Sequence, residues 1–132
     1  MPGPLAGYRI IDVTQMISGP MATMLLADQG ADVIKIEPPG TGDLTRALGG
    51  GMRRMSPTFT VVNRNKRSVV LNLKEPRGLA LLKRLVAGAD LFVQLQRAGD
   101  IRIALPETED FLKGDLRRDP SADLSKAETA QK

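Results

Sequence analysis

The sequence predicts an α/β fold, in which helices flank a parallel sheet. Residues 8–14 and 31–37 are apolar, β-branched segments typical of buried strands, and residues 20–29 between them favour a helix. Strand, helix and strand thus follow within about 30 residues, which is the unit of a parallel sheet with a right-handed crossover. The 132 residues suit one small domain, and with only 3% aromatic residues its core must be aliphatic.

Turn signals delimit the first helix. Pro20 suits the first helical position, Ser18 or Gly19 can act as the N-cap, and Gly30 is a typical stop. Ligands of open α/β sheets bind beyond the carboxyl ends of the strands, near helix amino termini, so this turn is the first candidate site. The spacing alone fits a plain helix cap at least as well.

The chain up to Gln94 predicts a long loop and further α/β elements. Residues 40–57 are rich in glycine and lack periodicity, as functional or mobile loops often are. Phe59 to Val62 fits either a short helix or a short strand. A strand is predicted at 67–73 and a third parallel strand at 90–94. Between them Pro76 and Gly78 open a helix that covers 79–87.

Beyond Gln94 the sequence changes character. Residues 95–132 hold a single aromatic residue and little apolar periodicity, although 101–105 are compatible with a weak strand. We expect the last residues, 119–132, to be disordered. The chain is therefore divided into an α/β region, 1–94, and a divergent, partly disordered tail, 95–132.

The composition excludes several kinds of chemistry. The chain has no Cys and no His, which rules out disulfides, thiol nucleophiles, Cys-ligated zinc and the Ser-His-Asp mechanism, and no metal site is predicted. No apolar run reaches the roughly 18 residues of a membrane span, and the first residues lack a signal-peptide pattern. We therefore expect no membrane partner and a cytoplasmic location.

Charge is unevenly distributed. Residues 1–99 carry 13 Lys and Arg against 7 Asp and Glu, a net +6, whereas residues 100–132 carry 6 against 8, a net −2. The basic residues include a cluster from Asn63 to Ser68. Such a field suits an anionic partner, either phosphate-bearing small molecules or nucleic acid, although the cluster also fits a solvated turn. Nucleic acid is the less favoured partner, because neither interleaved aromatic residues nor a recognition helix is evident.

Three charged residues lie in or just after the predicted strands. Asp12 and Glu37 are candidates for paired acid–base work, but salt bridges or caps at strand ends are the commoner role of such carboxylates. Lys35 stands on a buried strand, so we expect it to snorkel or to pair with an acid.

Four segments together resemble the class III CoA-transferases of the CaiB/BaiF type, which include formyl-CoA transferase, carnitine CoA-transferase and α-methylacyl-CoA racemase. The segments are 4–14, 18–20 with 22–30, 30–39 with Gly42 and Asp43, and 63–68 with 71–74. Both their order and their spacing match, over roughly residues 4–94. The resemblance implies a Rossmann-like domain that binds the nucleotide part of coenzyme A. Full-length members transfer CoA between carboxylic acids.

The resemblance also implies which residues contact CoA. Met16, Ile17 and Ser18 would approach CoA through backbone and small contacts. Leu71 and Lys74 would flank its adenosine-phosphate end, where Lys74 offers a cation to phosphate. Some members carry Arg at the position of Pro38.

After Val93 the chain departs from the family pattern. The family continues with Asn-Phe-Arg-Pro-Gly, whereas Gln94 is followed here by Leu-Gln-Arg-Ala-Gly. The catalytic aspartate of the transferases lies further downstream, so no residue of this chain is assigned a catalytic role. We expect a truncated family member, incomplete relative to the family fold, that at most binds CoA or acyl-CoA. Marginal stability or exposed apolar surface should follow.

Two alternatives stay open. The chain could be a non-catalytic interaction module that forms a homodimer or pairs with a full-length paralogue through an exposed sheet edge. A basic nucleic-acid-binding protein is the less favoured alternative.

Overall fold

The computed structural model describes the backbone of residues 2–49, 55–97 and 100–104, and the side chains of these residues up to Gln94. Within this part of the chain, helices alternate with strands and the α/β fold is confirmed. The elements are β1 (Arg9–Asp12), α1 (Ser18–Asp28), β2 (Asp32–Glu37), a 3₁₀ helix (Leu44–Ala47), α2 (Pro57–Asn63), β3 (Lys66–Val70), α3 (Pro76–Ala87), β4 (Leu91–Arg97) and β5 (Asp100–Ala104).

The five strands form one sheet in the order β3-β2-β1-β4-β5. The first four are parallel, and β5 runs antiparallel to β4. The chain therefore builds outward from β1 through β2 to β3, and then crosses to the other side of β1 to form β4. This reversal makes the carboxyl ends of β1 and β4 the topological switch point, where open α/β sheets bind their ligands.

Apolar side chains cover both faces of the sheet, as expected for parallel strands with helices on each side. On one face, Ile11, Ile34 and Phe92 pack against Leu82 and Val86 of α3. On the other face, the adjacent strand residues Ile10, Val33 and Val93 pack with Ala27 of α1 and with Ala31. Because neighbouring residues of a strand point to opposite faces, each strand contributes to both cores.

The residue predicted to cap the amino terminus of α1 is wrong. Ile17, not Ser18 or Gly19, occupies the N-cap position, and it makes no side-chain hydrogen bond to the helix. Gly19 serves close packing instead, because a Cβ atom there would lie only 2.4 Å from Cβ of Thr14. The predicted stop is confirmed in kind: Gly30 follows the helix with a φ of +100°, which favours glycine.

Tertiary contacts also settle the ambiguous segments. The segment at 59–62 is the helix α2, whose N-cap Ser56 accepts a hydrogen bond from the Phe59 amide. The strand predicted to reach residue 73 ends at Val70. The helix α3 begins at Pro76, one of the two residues expected to open it, and ends at Ala87 as predicted. The long loop contains the 3₁₀ helix, while its residues 50–54 lie outside the described residues.

The weak strand predicted at 101–105 is β5, which pairs with β4 from Phe92↔Ala104 to Arg97↔Asp100. A domain division at residue 94 stays a prediction, and the tail at 119–132 lies outside the described residues. In the part of the chain that the structure describes, no helix is both long enough and apolar enough to cross a membrane.

Candidate functional site

The carboxyl ends of β1, β2 and β3 lie at one edge of the sheet, because the three strands are parallel. Four of the five residues predicted to contact CoA lie in the loops that follow these strands, and the fifth, Ser18, is the first residue of α1. Buried charged side chains lie beneath these loops, and we describe them strand by strand.

The loop from β1 to α1 has an unusual backbone at Met16, whose φ of +68° is in the left-handed region. The next residues, Ile17 and Ser18, are exposed at the start of α1. Since the N-cap offers no side-chain acceptor, the first amides of α1 are suited to an anionic group from outside the chain.

Asp12, at the end of β1, is fully buried and accepts four hydrogen bonds. Its Oδ1 accepts from the Thr14 amide at 2.9 Å and the Thr14 hydroxyl at 2.5 Å. Its Oδ2 accepts from the Thr23 hydroxyl at 2.6 Å and from Nζ of Lys66 at 3.0 Å. Lys66 also donates to the Pro20 carbonyl and to Oδ1 of Asn63, so its ammonium group has three acceptors.

These contacts set the protonation of both groups. Burial acts to raise the pKa of Asp12, but Lys35, Lys66 and the two threonine hydroxyls outweigh it, so the pKa lies below its ordinary value. Burial lowers the pKa of Lys66 to about 8, against the opposing charge of Asp12. Asp12 is therefore held as a carboxylate with all its acceptor positions engaged, which fits a structural ion pair better than a general base.

Lys35 in β2 pairs with an acid, as one of the two sequence interpretations expected. Its Nζ lies 2.7 Å from Oδ2 of Asp43, and the two side chains are 1% and 0% exposed. Lys35 also donates to the Thr14 carbonyl at 2.8 Å. Oδ1 of Asp43 accepts from the amide and hydroxyl of Thr45, and from the Met16 amide at 3.4 Å. This pair therefore connects three segments: β2, the loop after it, and the loop from β1 to α1.

Glu37, at the end of β2, is held by Arg46 of the 3₁₀ helix. Two guanidinium nitrogens of Arg46 lie 2.6 and 2.7 Å from the carboxylate oxygens. The Ser68 hydroxyl and the Asp43 amide also donate to it. Burial acts to raise the pKa of Glu37, but these donors lower it to about 2. The guanidinium group also lies 3.7 Å from the centre of the Phe59 ring, a cation–π contact.

A cavity of about 320 Å³ opens between β3, α2 and the 3₁₀ helix. The cations that line it are already paired: Lys35 with Asp43, Arg46 with Glu37, Lys66 with Asp12 and Arg64 with Asp28. The lining of the cavity therefore carries no unpaired positive charge from these four side chains that would attract an anion.

The basic cluster from Asn63 to Ser68 has the same character. Arg64 pairs with Asp28, Lys66 with Asp12, and Arg67 with Asp32. Each of its cations has an aspartate partner, so the cluster connects β3 to the neighbouring elements. A phosphate clamp or a nucleic-acid surface at this cluster finds no support in that arrangement.

The predicted CoA contacts fall into two groups. Met16 and Ile17 at the end of the loop from β1 to α1 lie next to Ser18, the first residue of α1. Leu71 and Lys74 lie in the loop after β3; Lys74 is exposed, whereas Leu71 packs against the core on the α3 face. Their role in binding stays a prediction.

Sequence reasoning named Asp43 only as part of a family segment and assigned no role to Arg46, although both organise the edge. A signal was available, because Lys35 and Glu37 alternate with apolar residues in β2 and each needs an opposite charge when buried. Among residues 2–49 and 55–94, no cluster of His, Cys, Asp and Glu is arranged to hold a metal ion.

The sequence is similar to that of several CoA-transferases. The chain is 50% identical over 92 residues to succinyl-CoA:glutarate CoA-transferase from Mus musculus, which covers 69% of this chain and 21% of the mouse protein. It is 44% identical over 97 residues to acetyl-CoA:oxalate CoA-transferase from Acetobacter aceti, covering 74% of this chain and 25% of that protein. The chain thus spans between a fifth and a quarter of the length of these relatives.

Solved structures agree with the sequence comparison. A CaiB/BaiF family protein from Brucella suis superposes with a TM-score of 0.65 at 35% identity, over 70% of this chain and 25% of the other. A hypothetical protein from Mycobacterium tuberculosis gives a TM-score of 0.61 at 37% identity, over 68% and 24% of the two chains. The profile of CoA-transferase family III matches residues 5–108, which is most of the sequence. Because this match covers more than half of the sequence and the fold agrees with it, the chain belongs to CoA-transferase family III.

Proposed function

We propose that this chain is a coenzyme A-binding portion of a family III CoA-transferase, and that CoA or acyl-CoA lies along the carboxyl edge of the sheet. The observation that carries the proposal is the family match over residues 5–108, which contains that edge. The switch point between β1 and β4 is also where open α/β sheets bind nucleotide-like ligands.

The chemistry of the edge supports this ligand. CoA carries phosphate groups on its nucleotide and a long, less polar arm. The first amides of α1 and the exposed ammonium group of Lys74 suit phosphate oxygens. Ile17 is an apolar side chain, 45% exposed, next to those amides. We therefore assign Met16, Ile17 and Ser18 to one part of CoA, and Leu71 and Lys74 to its adenosine-phosphate end.

We propose transfer of CoA between carboxylic acids for a full-length protein of this family, and not for the 132-residue chain alone. The relatives are named for succinyl-CoA and glutarate, and for acetyl-CoA and oxalate, so their named acceptors are dicarboxylic acids. The present chain corresponds to a quarter or less of those relatives, and none of its residues is assigned a catalytic role. We expect the purified chain to show no acyl-CoA exchange with oxalate or glutarate. Robust turnover would contradict this.

Titration calorimetry of the 132-residue chain with CoA tests the binding proposal. We expect saturable binding, and a weaker affinity for CoA lacking its 3′-phosphate. The Lys74→Ala variant should lose roughly three- to ten-fold in affinity, because it removes a cation beside a phosphate. Lys83→Ala is the matched control, since Lys83 is also exposed but lies within α3. A folded chain that gives no binding heat with millimolar CoA would refute the proposal.

A second proposal, association with another chain, is supported by β3. This strand lies at one edge of the described sheet, and its Val70 side chain is 60% exposed. A homodimer or a complex with a full-length paralogue would cover that edge. Size-exclusion chromatography with and without a full-length family member tests it, and a strictly monomeric species in both runs would count against it. A cytoplasmic location also stays a proposal.

A further inference from the structure

We infer that Lys35 and Asp43 are positioning residues for CoA, which fix the backbone of the loop between β1 and α1 in the shape that the ligand meets. The inference rests on the proposed function, because it takes Met16, Ile17 and Ser18 as CoA contacts. Lys35 and Asp43 are 1% and 0% exposed, so they act through the loop and not on the ligand itself.

The two side chains hold the loop from both sides of Gln15. Nζ of Lys35 donates to the Thr14 carbonyl at 2.8 Å. Oδ1 of Asp43 accepts the Met16 amide at 3.4 Å. Since Asp12 also accepts a hydrogen bond from the Thr14 amide, three backbone groups of the loop, two on Thr14 and one on Met16, have buried, charged partners. Hydrogen bonds of this kind are directional, and they restrain a backbone more closely than apolar packing does.

The loop needs such restraint because of Met16. Its φ of +68° is a conformation that residues other than glycine rarely adopt. A disfavoured conformation persists only where the surrounding structure holds it. Ile17 and Ser18 follow directly, so the placement of the proposed CoA contacts depends on how Met16 is held.

Asp43 is itself fixed by a second set of contacts. Its Oδ2 lies 2.7 Å from Nζ of Lys35, and its Oδ1 also accepts the amide and the hydroxyl of Thr45. The Asp43 amide donates to Glu37 at 2.8 Å. The loop after β2 and the loop after β1 are therefore connected through one carboxylate, between residues that are 27 positions apart in the sequence.

Removal of one partner leaves the other as an unpaired buried charge, so Asp43→Asn alone risks unfolding the chain. The decisive variant is the double substitution Lys35→Met with Asp43→Asn, which removes both charges together and keeps similar side-chain volumes. Val86→Ala is the matched control for lost stability, because Val86 is buried on the opposite face of the sheet and makes no part of the loop.

Two measurements are made on the full chain: the Kd for CoA by calorimetry, and the NMR shifts of the Met16 and Ile17 amides without ligand. In the folded double variant we expect these amides to move and the Kd to rise about ten-fold or more, since small displacements of positioned groups have large effects. In Val86→Ala both should stay near their wild-type values, although the protein is less stable. If Lys35 and Asp43 had a purely structural role, both variants would be less stable, but neither would show moved amides or a raised Kd for CoA.

The outcomes separate the two proposals. If the wild-type chain binds CoA and the Kd of the folded double variant lies within about two-fold of the wild-type Kd, only the positioning inference is wrong. Unmoved Met16 and Ile17 amides in the double variant would also overturn it. If the folded wild-type chain does not bind CoA, the proposed function fails, and the inference built on it fails as well.

Discussion

The two faces of the sheet differ in how their side chains are stabilised, although the same strands contribute to both. On the α3 face, Ile34 and Ile36 of β2 pack in an apolar core with Leu82 of α3. On the α1 face, the same strand begins with the apolar Val33 and continues with the charged Lys35 and Glu37. The α3 face is thus apolar at Ile34 and Ile36, whereas the α1 face becomes ionic where the strand approaches its carboxyl end.

This difference follows from what each face must hold. A helix that packs on a sheet needs buried apolar area, which is non-directional and tolerates small adjustments. The loops at the carboxyl edge add charged groups and hydrogen bonds to the little apolar area that they bury, such as that of Val13 and Leu71. Asp12, Asp43 and Glu37 each bring together groups from separate segments of the chain. The carboxyl edge gains fixed geometry in this way, at a cost in desolvation.

The largest effect should come from breaking the ionic face at Asp12. The Asp12→Ala variant leaves Lys66, whose side chain is 2% exposed, without its counter-charge. We expect a loss of about 3–5 kcal/mol in the free energy of unfolding, measured by urea titration. Asp28→Ala is the control, because it removes an aspartate from an ion pair with Arg64 that is open to solvent. Equal losses in the two variants would contradict the distinction between buried and exposed pairs.

The apolar face should respond to cavity formation. Leu82 is fully buried on α3, and Leu82→Ala should lower the free energy of unfolding by about 2–4 kcal/mol through lost burial and an unfilled cavity. Its neighbour Leu81 is 38% exposed, so Leu81→Ala should cost clearly less. The same urea titrations measure both. A larger loss in Leu81→Ala would show that the packing of α3 is assigned to the wrong side of the helix.

A smaller effect on stability, seen only at acidic pH, should come from Glu37 on the ionic face. The pKa of Glu37 is about 2 in the fold against an ordinary value of 4.5, so the folded state favours the carboxylate. Its contribution to stability is present above about pH 4.5 and is lost as the pH falls towards 2. We expect thermal unfolding between pH 2 and 6 to show a shallower decline in the Glu37→Gln variant than in wild type. A parallel decline in both proteins would argue against a strongly held Glu37.

Several large apolar side chains are exposed among the described residues. Tyr8 and Val61 are each more than half exposed, as is Val70 at the sheet edge. Ile17 and Leu25 of α1 are about half exposed as well. Such surface is consistent with association, whereas the predicted marginal stability is open to measurement. A cooperative thermal transition above about 60 °C would contradict it.

Local patterns in the sequence were enough for the fold class, because strand and helix periodicities are properties of neighbouring residues. The alternation of Val33, Ile34, Lys35, Ile36 and Glu37 already implies one apolar face and one face that turns polar. The first strand, the first helix and the second strand were all located correctly within a few residues. Four family segments in order and spacing then identified the family, which the profile match confirms.

Only the tertiary structure decided which charges meet. Asp12 and Lys66 are 54 residues apart, and no local pattern indicates that β3 brings the ammonium group to the end of β1. For the same reason the sequence could not show that Asp43 accepts the Met16 amide, or that Gly19 packs on Thr14 instead of capping the helix. Periodicity depends on residues next to each other in the chain, whereas ion pairing depends on distances that exist only once the sheet has assembled.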